Sequence, residues 1–100
     1  METVRFILKD EQIRHLRKHY ADDSIVQKAL ANSKQELFKM TKEDYVDFWD
    51  WLDDQSVLTM DEDYEPTEET YLFEDMIDFM SAQEKAPETY TPIYDEIDKQ

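Results

Sequence analysis

Apolar residues recur along this chain with two periods, and the switches between them mark its elements. Residues 3–8, TVRFIL, are β-branched or apolar and predict a short strand, and ELFKM at 36–40 predicts a second. After the first strand, Ile13, Leu16 and Tyr20 fall at i, i+3 and i+7 with Arg14, Arg17 and Lys18 elsewhere. That spacing predicts a helix over about 10–21 with Asp10 at its start. Asp22 and Asp23 break it, and Asp23 or Ser24 caps a second helix over about 24–33 through Ile25, Val26, Ala29 and Leu30.

The clearest stripe follows Thr41. Tyr45, Phe48, Trp49 and Leu52 share one face of a helix predicted over about 42–55, with Glu43 and Asp44 at the positive end of its dipole. Thr67 caps a fourth helix over about 68–83, carried by Leu72, Phe73, Met76, Ile77 and Met80. The expected fold is mainly α, with four helices and the two short strands pairing beside them. Residues 1–85 form the expected domain. From 86 the composition turns to APETYTP, which reads as a tail with a last short helix over 92–98, begun by Thr91 and Pro92.

A faint echo links VRFILKDEQIRHL and ELFKMTKEDYVDF, which align Phe6 with Phe38 and Glu11 with Glu43. Two identities in thirteen positions are close to chance, and similar strand-to-helix junctions explain them equally.

Charge changes the picture more than composition does. Of 26 acidic residues, 20 follow Lys42, where only Lys85 and Lys99 oppose them. Residues 43–100 therefore carry −18 and residues 1–42 carry +3, for a net −15. Disordered acidic tails lack aromatics, whereas ten lie in this acidic part, so the acids belong to a folded surface. Such a field repels phosphates, which argues against direct nucleic-acid binding and against anionic membranes. With no Gly there is no phosphate-cradling loop, and with no Cys there is no disulfide or thiolate site. No apolar run reaches the roughly 18 residues a membrane span needs, so a cytoplasmic location is expected.

Candidate chemistry is sparse. His15 and His19 share a helix face at i, i+4, but HLRKH lacks the Glu of the zinc-protease motif and sits among cations. Asp61, Asp63 and Glu65 resemble the opening of a calcium loop, yet its sixth position is Pro66 and its twelfth is Leu72. Carboxylate pairs such as Asp50 with Asp54, or Glu74 with Asp78, face away from the aromatic stripes and read as solvated helix faces. No catalytic residue, cofactor or metal site is assigned, and an enzyme is not expected.

What remains is binding. Asp44, Asp47, Asp50, Asp54, Glu68, Glu69, Asp75 and Asp78 are the candidate partner-binding acids, directed at a basic protein surface. In its extreme form the chain imitates nucleic acid and inhibits a nucleic-acid-binding protein, in the manner of phage or mobile-element inhibitors. Trp51 lies about 200° around the helix from Trp49. It is either covered by another element or a partly exposed anchor ringed by acids. The alternative function is a non-mimic module, such as an immunity protein or small regulatory subunit, anchored by Trp51, Phe79, Tyr90 and Tyr94.

Overall fold

The structure is a computed structural model that describes residues 2–100; Met1, the first residue of the expected domain, lies outside the described residues. The chain runs β1 (Thr3–Ile7), α1 (Asp10–His19), α2 (Ser24–Ala31), β2 (Ser33–Lys34), β3 (Leu37–Thr41), α3 (Lys42–Leu58), α4 (Glu68–Lys85) and α5 (Pro87–Asp98). The mainly helical architecture with paired short strands is the one the periodicity predicts. The sheet is antiparallel in the order β1-β3-β2, with β3 at its centre. Phe6 pairs with Phe38, the two residues of the sequence echo, and their rings stack with centroids 5.0 Å apart.

Polar side chains set most helix ends. Asp23 caps α2 by accepting from Ile25 N at 2.9 Å and Val26 N at 3.4 Å. Thr41 accepts from Asp44 N to start α3. Thr67 and Thr70 bond each other's backbone N–H reciprocally at the start of α4. For α1 the cap is not Asp10. Lys9 holds that position, and buried Gln12 satisfies its N–H through Oε1 at 2.9 Å.

One face of the sheet meets the helices. Phe6, Phe38 and Met40 pack there with Leu16, Val26, Phe48, Leu52, Phe73, Met76 and Met80. The opposite face is closed by residues 86–100, which form α5 rather than a tail. Ile7 and Leu37 cover Tyr94, with Phe79, Tyr90 and Ile97 around them. Arg5 secures the contact through Asp95 at 2.8 Å and Asp98 at 3.5 Å, and Lys34 Nζ donates to the Asp98 carbonyl at 3.2 Å. The helix therefore begins at Pro87 and accommodates Pro92 within it, because its apolar side has a sheet to bury against.

The chain also turns without glycine. Gln35, at φ 56°, makes the tight β2–β3 connection, and Tyr64, at φ 60°, lies in the α3–α4 loop. Left-handed backbone at a non-glycine residue costs roughly 1–2 kcal/mol. The two-residue β2 strand it creates was not predicted.

Candidate partner-binding surface

Helices α3 and α4 lie antiparallel, and two contacts fix their register. Tyr45 Oη donates to Glu84 at 2.6 Å at one end, and Thr59 and Thr70 hydroxyls meet at 3.0 Å at the other. In that register Asp54 is level with Asp75, and Asp50 is level with Phe79, one residue from Asp78. Each helix buries one face against the core and one flank against the other helix, and each leaves an exposed stripe pointing outward.

On α3 the exposed stripe is Glu43, Asp47, Asp50 and Asp54; on α4 it is Glu68, Tyr71, Asp75 and Asp78. Both follow the i, i+3, i+4 spacing of an outward helical face. The helical rise sets Asp47, Asp50 and Asp54 about 4.5–6 Å apart along α3, and Asp75 and Asp78 about 4.5 Å apart along α4. Residues 42–85 hold sixteen acids and two lysines, a net −14.

The cations of the first 42 residues do not neutralise this face. Arg5 and Lys39 reach the acids of α5, Arg14 pairs with Asp10, Lys42 with Glu2 and Lys28 with Asp44. Among the described residues, no ion pair involves Asp47, Asp50, Asp54, Glu68, Asp75 or Asp78.

Three of the nine expected binding residues are placed differently. Trp51 is a core residue, 8% exposed. It stacks on Phe48, meets Tyr20 and Phe73 edge-on, and donates its indole N–H to Asp23 Oδ2 at 3.0 Å. Of the two readings left open for it, coverage by other elements is the one found. Asp44 is half-buried and spends its charge on Lys28 at 3.5 Å. Glu69 turns inward to α1, where one oxygen accepts from Tyr20 Oη at 2.9 Å and lies 2.7 Å from His15 Nε2. Burial, with help from Glu69, pushes the Tyr20 phenol up to about 12. Burial and then the Glu84 contact likewise raise Tyr45 well above the ordinary phenol range.

The aromatic anchors of the alternative reading are also engaged internally. Tyr94 is buried, and half-buried Phe79 and Tyr90 pack edge-on at 6.1 Å. The exposed apolar groups are others: Tyr71 (54%), Leu58 (72%) and Tyr64 (80%), with Val46, Val57 and Ile93. The helical phase carried the signal for Tyr71, which sits three residues after Glu68 and four before Asp75.

Neither suspected metal motif assembles. The rings of His15 and His19 lie 4.6 Å apart, yet no described group of three or more His, Cys, Asp or Glu is disposed to hold an ion. Asp61 Oδ1 instead accepts from the N–H groups of Asp63 and Glu65 and ties the loop to itself. An open depression of about 640 Å³ beside His15, Thr67, Glu68, Glu69 and Leu72 borders the acidic rows. No described helix is long and apolar enough to cross a membrane. No protein-family model, curated protein or solved structure matches this chain.

Proposed function

We propose that this chain is a small binding protein, not an enzyme, whose α3/α4 face occupies a basic surface on a partner protein. The observation that carries this reading is that Asp50, Asp54, Asp75 and Asp78 are all exposed on rigid helices, with no ion pair to any of them among the described residues. Like charges at i, i+4 cost a helix roughly 0.2–0.5 kcal/mol per pair. A surface selected only for stability has no reason to keep so many. A partner's Lys and Arg remove that repulsion on binding, and the field accelerates encounter.

The finer reading is imitation of nucleic acid. Unpaired carboxylates repeated along two rigid helix faces offer a basic groove the kind of fixed negative charge that a phosphate backbone offers it. Burial of Trp51 and Tyr94 removes two of the anchors an aromatic-driven module would use, which favours charge as the main determinant. Tyr71, standing among the acids, supplies one amphipathic contact of the kind that anchors interfaces.

The test is competition. A basic protein captured by this chain is expected to lose its hold on nucleic acid in proportion to added chain, and to regain it when salt screens the rows. Simultaneous binding of nucleic acid and this chain to the captured protein overturns the mimic reading.

A further inference from the structure

β1 is an edge strand, and one side of it is unclaimed. Leu8 N bonds Glu36 O at 3.2 Å and Lys42 N bonds Glu2 O at 3.1 Å, so the even-numbered residues of this segment turn their backbone groups toward β3. Thr3, Arg5 and Ile7 turn theirs outward. At Ile7 the outward pair is filled by a side chain: Gln83 Oε1 accepts from Ile7 N and Gln83 Nε2 donates to Ile7 O, each at 2.8 Å. The Gln83 amide thus stands where the next strand's peptide group would be. At Thr3 and Arg5 the described residues supply no such partner.

Beside those two residues lies a cavity of about 250 Å³ with β1 as its floor. Tyr45, Met80 and Glu84 wall it on the core side, and Pro87 and Tyr94 on the α5 side. We propose that this groove takes one extended, Lys- or Arg-bearing peptide segment of a partner by strand addition, extending the pairing that Gln83 begins. Backbone bonds to Thr3 and Arg5 supply the affinity, as in other peptides that add to a sheet edge.

The occupant follows from shape and charge. Walls on both sides admit a single strand, whereas a second copy would bring its own β1 recessed between the same walls. Glu84 sits on the wall and the chain as a whole carries −15. Arg5 does not oppose a cation strongly, because Asp95 and Asp98 already hold its guanidinium. This site does not depend on the acidic α3/α4 face.

The probe is a labelled hexapeptide alternating Val and Lys, compared with a Val/Glu version and a version N-methylated at alternate residues. Hydrogen exchange and fluorescence anisotropy read the outcome. The Val/Lys peptide is expected to bind and slow exchange at the Thr3 and Arg5 amides at least tenfold. N-methylation and Thr3→Pro, which an edge strand tolerates, each weaken binding at least tenfold, and Glu84→Gln weakens it severalfold. The variant with Asn at Asp50, Asp54, Asp75 and Asp78 keeps at least a third of the affinity. The proposal is overturned by no binding up to about 1 mM peptide or equal binding of the Val/Glu or N-methylated peptide. Loss of binding in the fourfold variant also overturns it, as does protection of Thr3 and Arg5 that rises with protein concentration alone, which marks a second copy.

Discussion

The side-chain amide of Gln83 pairs with both backbone groups of Ile7, and the same Oε1 accepts from Tyr94 Oη at 2.6 Å. One buried residue of α4 thereby ties the edge of the sheet to α5. Gln83→Ala leaves two buried backbone groups and a phenol without partners. It is expected to cost about 2–4 kcal/mol in urea unfolding. Tyr94→Phe is expected to cost about 1 kcal/mol. Because they share an atom, the double variant should lose less than the sum; strict additivity would show that this contact does not form in solution.

Trp51 is structural. Trp51→Ala is expected to destabilise the fold by about 3–5 kcal/mol. Trp51→Phe, which keeps the ring contacts and leaves the Asp23 oxygen without the indole, should cost less. Neither change should alter partner capture by chains that remain folded. Loss of capture by the stable Trp51→Phe chain would return this residue to the interface.

Alkaline pH provides a separate readout. The Tyr20 and Tyr94 phenols are both raised from 10.0 to about 12, in each case chiefly by burial. A raised folded value means that the contribution to stability is complete below pH 10 and is lost as pH climbs toward 12. Thermal midpoints should therefore fall across that window. Tyr20→Phe should flatten part of the fall, and tyrosinate absorbance should rise late for the buried phenols. A midpoint insensitive to pH between 10 and 12 would contradict this account.

Much of the fold is legible in the sequence because it is decided locally. Thr41 and Thr67 announce α3 and α4, and short β-branched or apolar runs give both main strands. What is not legible depends on residues far away in the chain. α5 looks like a linker until Ile7 and Leu37 give its Tyr94 a surface to cover. Trp51 looks peripheral to its stripe until Tyr20 and Asp23 close over it. Helical phase placed Asp47, Asp50, Asp54, Glu68, Asp75 and Asp78 outward. It carried no information on Lys28 and His15, the partners that engage Asp44 and Glu69. The register of α3 against α4 comes from Tyr45–Glu84 and Thr59–Thr70, contacts that no local pattern encodes.

The acidic rows should weaken the fold that carries them. Replacing Asp50, Asp54, Asp75 and Asp78 with Asn removes like-charge neighbours, so the fourfold variant is expected to melt higher than the parent at low salt. The gap should narrow as salt is added. A lower melting point at low salt would mean these carboxylates support the structure.

The most direct test of the binding face is capture from a cell lysate by the parent chain and by this fourfold variant, eluted in a salt gradient. The parent is expected to retain basic proteins that leave as salt rises, and the variant, still folded by its melting curve, to retain few or none of them. Retention of the same proteins by both chains, or elution from the parent that ignores salt, would contradict the assignment of the α3/α4 acids as the binding surface.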